Sequence, residues 1–462
     1  MKIQTISIKS LFGTLDHEIP LGDEGITFIH GPNGCGKTTV LRLVHALLSG
    51  EFQYLKTVEF HTLTVTFEDG HSLLATRSIK ARNEQSQQLF HDDDDNDGLS
   101  SATIDLVISL ITPTGKEVHS LDDSKQLQKE SKSSSDFNLR SIERRLPFLT
   151  RVGPRQWLDI RTSARYGLGS LLEKYGERLG VFSHAQLPRW LQERTLKGAI
   201  EIVRTQRLIN LSVPAKSHRQ EEGKESRDVV EIYSSQIKET IAKTLAESAV
   251  QSQARDRSFP MRLINKEFVK NVPQDDFIET YRATEERAQN LMSAGLLDQA
   301  ASIPLPKRKL TKLERDVLAL YLADFNEKLD AFTDIQGRIE ALVDIVGTKL
   351  RRKTFQIDRQ KGFVFQTIEP TPRNLNATDL SSGEQHQIVL FYELIFASSE
   401  IQLFLIDEPE ISLHVEWQRA FIGDLEKVQT LNGATFLIAT HSPQVINNRR
   451  DLAVPLDGGL PE

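Results

Sequence analysis

Gly31-Pro32-Asn33-Gly34-Cys35-Gly36-Lys37-Thr38 is the stretch on which the fold of this chain turns. It matches the phosphate-loop pattern G-x-x-x-x-G-K-[ST]. The six residues before it, Gly25-Ile26-Thr27-Phe28-Ile29-His30, are mostly apolar and β-branched, as in a buried strand. The residues after it, from Thr39 to Leu48, are an apolar helical run that stops at Ser49-Gly50. A glycine-rich turn of this composition also arises with no ligand, but a strand before it and a helix after it are the context that phosphate binding needs. Glycines let backbone N–H groups approach phosphate oxygens, and the helix N-terminus adds positive potential. Lys37 is placed to reach the β- and γ-phosphates, and the Thr38 hydroxyl to bind Mg²⁺. The candidate nucleotide contacts are Gly31, Pro32, Asn33, Gly34, Cys35, Gly36, Lys37, Thr38 and Thr39.

Three further stretches near the other end make sense together with the first. Residues 401–406 are a second buried-strand run, ending in Asp407-Glu408-Pro409. Asp407 at the strand tip suits Mg²⁺, and Glu408, one residue on, suits orienting and deprotonating water. An apolar strand ending in Asp-Glu is also a common loop boundary. Here a partner run, residues 433–439, ends at Thr440-His441-Ser442, so that His441 stands at the tip of a neighbouring strand. A lone histidine is more commonly structural; one at this spacing can contact a γ-phosphate and position water. Leu380-Ser381-Ser382-Gly383-Glu384-Gln385 opens an apolar helix over residues 388–396. Ser381 and Glu384 have the spacing of a capping box, and a helix N-terminus with serine and glycine also binds phosphate. The two readings are compatible.

With these four motifs in this order the chain resembles the ABC-type ATPases. Within them it resembles the SMC/RecF/Rad50 branch rather than the membrane transporters. Glu384 stands where transporters usually carry glutamine, and the gap between phosphate loop and signature is long. The resemblance implies an α/β fold: an ABC-ATPase head of mixed sheet and helices, with an antiparallel β subdomain and an α-helical insertion. It implies ATP and Mg²⁺ as cofactors, Glu408 and His441 as catalytic residues, and Thr38 and Asp407 as metal ligands. It also implies that Ser381, Gly383 and Glu384 reach the ATP of a neighbouring copy, making a head-to-tail homo-oligomer. Gln206, after the strand-like run 199–204, occupies the place of a Mg²⁺-sensing glutamine. Ser382 departs from the glycine that the class often has there.

Four stretches narrow the resemblance to small ATPases of bacterial antiphage defence. They are residues 381–386, 407–414 and 439–444, and Asp256-Arg257-Ser258-Phe259-Pro260-Met261-Arg262-Leu263. The PtuA ATPases of Septu systems, retron-linked forms included, are the nearer match, and the AriA ATPases of PARIS systems the second. This likeness implies a separately encoded nuclease partner, HNH-type by the first comparison and TOPRIM-type by the second, with DNA engaged through the complex.

Composition sets the bounds. At 462 residues there is room for two or three domains. Hydrophobic content of 39% and charged content of 26% are ordinary for a soluble protein. No run has the apolar length of a membrane span, and Met1-Lys2-Ile3-Gln4 begins a strand rather than a signal peptide. The single Cys35 excludes an internal disulfide and a Cys-based zinc site, and it points to a cytoplasmic setting. A net charge of −7 argues against a protein that coats DNA. Basic clusters at Arg144-Arg145, Lys307-Arg308-Lys309 and Arg351-Arg352-Lys353 are either phosphate contacts or solvated faces.

Along the chain, residues 1–227 read as the N-terminal part of the head, 228–352 as a helical insertion and 353–462 as the C-terminal part of the head. Hairpins are expected across Asp69-Gly70, across Pro113-Thr114-Gly115, and between residues 355–358 and 362–365. The run from His91 to Asp97 reads as a flexible acidic loop or, less simply, a metal site. Residues 131–136 are a polar linker, 145–191 short helices and 218–227 a charged linker. The insertion lacks a sustained heptad, so it is expected to be compact rather than a rod. No nuclease signature, metal-ligating His/Cys cluster or Ser-His-Asp arrangement stands out.

Three functions compete at this point. The first is an ATP-controlled sensor and scaffold in defence. The second is a RecF/SMC-like repair ATPase that binds DNA itself. The third is a stand-alone metabolic NTPase.

Overall fold

A computed structural model describes residues 2–80, 103–113, 115–120, 149–153, 156–159, 165–167, 188–195, 199–204, 222–265, 273–297, 308–368, 371–397 and 401–456. The chain divides into two units, Met1–Ile202 with Val454–Glu462, and Val203–Ala453.

In the first unit the elements run β1 (Ile3–Leu11), β2 (Leu15–Pro20), β3 (Ile26–His30), α1 (Lys37–Ser49), α2 (Phe52–Thr57), β4 (Thr62–Phe67), β5 (Ser72–Lys80), β6 (Thr103–Thr112) and β7 (Gly115–Ser120). After these come β8 (Leu149–Gly153), β9 (Gln156–Asp159), β10 (Arg165–Gly167) and α3 (Arg189–Arg194), and β11 (Ile200–Arg204) spans the unit boundary in sequence. Six strands form an antiparallel sheet in the order β2-β1-β4-β5-β6-β7. Period-2 patterning fixes the register. Ile19, Ile6, Val65, Leu73 and Leu110 align in one row across the sheet; His17, Ile8, Leu63, Ala75 and Ile108 form the next. Both rows are buried, and His17 is the polar exception among them. The predicted turns are present: Gly70 adopts φ +78° between β4 and β5, and Thr112 pairs with Gly115 between β6 and β7.

Between residues 145 and 191 the sequence suggests short helices, and the structure corrects this: β10, β9 and β8 form a three-stranded antiparallel sheet in that order. Trp157 is fully buried and stands opposite Arg151 and Tyr166 across the ladders. These strands are only three to five residues long. Runs so short show little alternation, so cross-strand packing decides them. Only α3 in this stretch is helical among the described residues.

The second unit opens with α4 (Glu222–Ile264), which is 43 residues long. It begins inside the stretch read as a linker, because that stretch is rich in Glu, Lys and Arg, which are sound helix formers. At 1.5 Å per residue it extends roughly 65 Å, so the insertion is built on one long helix rather than on compact short ones. Next come α5 (Gln274–Ser293), α6 (Lys312–Asp330), α7 (Thr333–Gly347), β12 (Lys353–Asp358), β13 (Gly362–Thr367), β14 (Asn374–Leu375) and α8 (Ser382–Phe396). The last elements are β15 (Leu403–Asp407), α9 (Val415–Asn432), β16 (Thr435–Thr440) and α10 (Pro443–Ile446), and β17 (Ala453–Pro455) spans the boundary back to the first unit in sequence.

The base of α4 is anchored. The Tyr233 hydroxyl donates to Glu393 on α8 at 2.6 Å, and Tyr233 stacks on Tyr392 with centroids 4.4 Å apart. Ser234 Oγ accepts the Phe363 N–H at 2.9 Å. That approach requires a glycine at 362, where φ is +78° and a Cβ would lie 2.4 Å from the Ser234 carbonyl oxygen. Farther out, α4 pairs with α6 through Arg255–Glu327, Arg262–Asp324 and Lys328–Asp256. On the return, Arg338 of α7 donates to the carbonyls of Ile395 at 2.7 Å and Ala397 at 3.3 Å, satisfying the C-terminal end of α8. β15 and β16 pair in parallel, with Phe404 stacked on Phe436, and residues 403–406 and 436–439 are apolar because both faces are buried. Full burial of each such side chain contributes about 1.5–3 kcal/mol.

Candidate nucleotide site

The phosphate loop lies between β3 and α1, as its sequence requires. Lys37 is only 5% exposed, and its Nζ donates to the carbonyls of Gly31 at 2.9 Å and Pro32 at 3.1 Å. The ammonium is thus held at the mouth of the loop by weak neutral acceptors that phosphate oxygens can replace. Gly36 adopts φ +89°, and a Cβ there would lie 2.7 Å from Leu11 Cδ2 and 3.3 Å from Phe12 Cε2. Pro32, Asn33 and Gly34 form an exposed lip, Gly31, Gly36, Thr38 and Thr39 are half-buried, and Cys35 is buried. Beneath the loop, His17 Nε2 is hydrogen-bonded to the Cys35 carbonyl at 2.9 Å. The polar exception in the sheet row therefore has a function: it ties the loop backbone to β2. Beside the loop, Phe12 is 45% exposed with φ +54°, an aromatic face next to Gly36.

The second unit brings Asp407, Glu408 and His441 to the tips of β15 and β16. Glu408 adopts the left-handed conformation, φ +49° and ψ +57°, which is strained for a residue with a side chain. Its amide still donates to the Ala439 carbonyl at 2.8 Å, so the sheet ladder holds the strained residue in place. Glu408 Oε1 lies 3.6 Å from His441 Nε2, and each side chain is about a third exposed, at 34% and 33%. Both groups face solvent in a partly shielded position, as a water-activating pair requires.

The turn after Glu408 is braced on both sides. Glu410 Oε1 accepts the His441 backbone N–H at 2.5 Å. Gln418 of α9 donates from Nε2 to the Leu413 carbonyl at 3.0 Å, and its Oε1 accepts the Ser442 hydroxyl at 2.6 Å.

The signature residues open α8. Ser381 and Glu384 form the predicted capping box, and Ser381 is exposed. The Glu384 side chain turns inward. It receives Lys353 Nζ at 2.7 and 3.0 Å and the Ser381 N–H at 2.7 Å, and the residue is 7% exposed. The sequence reading gives Glu384 a nucleotide contact, whereas here it pins the helix terminus and leaves Ser381 exposed and Gly383 half-buried. His386, one turn on, bonds its own turn through the Ser382 carbonyl, and burial holds its imidazole pKa below the usual value.

Gln206, the acidic run 91–97, the linker 131–136 and the basic residues 144, 145 and 307 lie outside the described residues. Among the described residues no cluster of three or more His, Cys, Asp or Glu side chains forms a metal cage. Thr38 in the first unit and Asp407 in the second are each hard oxygen donors of the kind Mg²⁺ takes. The sequence reading misses Phe12, His17, Lys353, Glu410 and Gln418. The period-2 pattern of β2 could have placed His17 inward beside Ile19. Nothing local signals Lys353 or Gln418, whose partners are distant in sequence.

Comparison with known proteins supplies a family. Residues 26–447 match the model described as AAA domain, putative AbiEii toxin, Type IV TA system. The cell division ATP-binding protein FtsE of Streptococcus pneumoniae is 24% identical over 126 residues, 27% of this chain and 44% of that protein. The chain therefore spans less than half the length of the curated relatives it matches. Among solved structures, the Smc head domain with an extended coiled coil bound to the C-terminal domain of ScpA, from Pyrococcus furiosus, aligns with a TM-score of 0.35 and 13% identity. That alignment covers 99% of this chain and 94% of the other. The SMC head domain from Thermotoga maritima aligns with a TM-score of 0.31 and 10% identity, covering 98% and 92%.

Proposed function

This chain belongs to the AAA-domain family described as putative AbiEii toxin of a type IV toxin–antitoxin system, and from that premise we propose that it is an ABC-type ATPase which binds ATP with Mg²⁺ and hydrolyses it slowly. The observation that carries the reading is the Glu408–His441 pair, 3.6 Å apart at the tips of adjacent parallel strands. Bound Mg²⁺ would supply charge neutralisation at the transferring phosphoryl group, with Thr38 and Asp407 as its protein ligands. The glycine-rich cradle and the α1 N-terminus receive the phosphates, and Lys37 exchanges its loop carbonyls for phosphate oxygens. Glu408 accepts a proton from water as that water attacks, and His441 orients it. Ser381, exposed, and Gly383, half-buried, offer a second phosphate-binding edge at the start of α8 to a neighbouring copy. Ile411 and Val415, 58% and 50% exposed just beyond Glu408, are apolar groups that such an association would cover.

The cellular setting belongs to the same proposal. The family description names a toxin–antitoxin system, and the sequence motifs resemble Septu ATPases, so the ATP-driven assembly holds or releases a separately encoded nuclease. An HNH-type partner is favoured over a TOPRIM-type one. The 43-residue α4 favours the alternative, an SMC-like ATPase that contacts DNA directly. No described helix is long and apolar enough to cross a membrane.

Glu408→Gln keeps the shape and loses the base. It is expected to retain ATP binding while turnover falls about 10²–10⁴-fold, and trapped ATP should raise the native mass by strengthening association. Turnover near that of the wild type would remove Glu408 from the base role.

A further inference from the structure

Two carboxylates, two residues apart, grip one histidine. Glu408 faces the His441 ring at Nε2, 3.6 Å away, and Glu410 accepts the His441 backbone N–H at 2.5 Å. The strained turn at Glu408 makes this possible: its left-handed backbone, followed by Pro409 with its ring-fixed φ, folds the chain so that positions 408 and 410 both reach the tip of β16. The turn is closed by the Ile411 N–H on the Glu408 carbonyl at 3.3 Å and the Leu413 N–H on the Glu410 carbonyl at 3.1 Å. The other Glu410 oxygen, Oε2, is buried without a hydrogen-bond partner among the described residues. Glu410 therefore commits its side chain to one contact at the cost of desolvating a charged group.

We propose that Glu410 is the positioning residue for the hydrolytic pair: its bond to the His441 N–H sets where the imidazole stands over Glu408. The catalytic consequence rests on the ATPase reading, but the hydrogen bond itself does not. Gln418 supports the same arrangement from α9 by joining the Leu413 carbonyl to the Ser442 hydroxyl. A backbone hydrogen bond is well suited to this task. It fixes the path of the chain into His441 without itself occupying either imidazole nitrogen.

The test compares Glu410→Ala and Glu410→Leu with Glu410→Gln in the full chain, using two readouts. The Leu variant fills the space that Ala empties, so a hole in the packing is distinguished from a lost acceptor. Amide hydrogen exchange over Thr440–Ser442, measured without nucleotide, should accelerate at least about tenfold in the Ala and Leu variants and stay near wild type in Gln, which keeps an acceptor oxygen. Steady-state ATP hydrolysis should lose about 10- to 100-fold in kcat with KM unchanged in Ala and Leu, and recover in Gln.

Unchanged exchange in Ala and Leu, or faster exchange with unaltered kcat, overturns the proposal. So does a Gln variant as impaired as Ala, which would place the effect in the charge rather than the hydrogen bond. Absence of turnover in the wild-type chain, with the exchange contrast present, would refute the ATPase reading and the catalytic consequence while leaving the hydrogen bond standing.

Discussion

In the first unit the phosphate loop is held mainly by backbone: glycine conformations, loop carbonyls on Lys37 and a sheet histidine on the Cys35 carbonyl. In the second unit the Glu408–His441 pair is held by side chains: Glu410, Gln418 and the hydroxyl of Ser442. The first arrangement is preformed and tolerates little change in backbone shape. The second depends on a few hydrogen bonds, each replaceable by another acceptor. Binding and chemistry should therefore fail separately, and differently, when each region is altered.

Lys37→Ala tests the cradle most severely. Removal of its buried cation should weaken ATP binding by at least about 100-fold, since a hydrogen bond to a charged group is worth about 1.5–3 kcal/mol and more than one is lost. Titration calorimetry with ATP and Mg²⁺ reads this directly, and wild-type affinity would mean that the loop is not the phosphate site. Gly36→Ala is the sharper instrument. Its Cβ meets Leu11, and its φ of +89° costs a side-chain residue about 1–2 kcal/mol. Lower thermal stability with about tenfold weaker ATP binding is expected, partly relieved by adding Leu11→Ala. Absence of any loss would show that the cradle yields as easily as the turn at Glu408.

The smallest effect concerns acid stability of the first unit. Arg194, 2.6 Å away, holds the Asp69 carboxyl at about 2, below its ordinary 3.8, with help from the His71 backbone N–H. A depressed carboxylate stabilises the fold above its unfolded pKa, and that contribution is lost as pH falls through the folded one. Asp69→Asn should therefore flatten the stability decline between pH 3.8 and about 2, followed by circular dichroism during acid titration. An unchanged slope would make the pair irrelevant to the unit.

Much of this was legible in advance because it is local. A strand, a glycine loop and a helix are consecutive in sequence, and so are Ser381 and Glu384 in their capping box. Asp407, Glu408 and His441 were legible because each ends an apolar run. Lys353 and Gln418 were not, because their roles arise only when elements far apart in sequence pack together. The strands β8 to β10 were misread for the same reason, since Trp157 is buried by its cross-strand setting rather than by a visible period. The Lys353 contact of Glu384 could not be anticipated either, because Lys353, which donates to it, is 31 residues away.

The anchored base of α4 has a mechanical corollary. Its inner stretch, from Val229 to Ile241, buries one face through Val229, Val230, Ile237 and Ile241 and covers roughly 18 Å of axis, and the remaining helix to Ile264 roughly another 35 Å at 1.5 Å per residue. That is a lever with a ratio of about two. A tilt that shifts the contacts at Tyr233 and Ser234 by an ångström displaces the far end by two or three. Spin labels on α4 at Thr240 and Val250, each paired with one on α9, would read that gain as a larger distance change at the outer position.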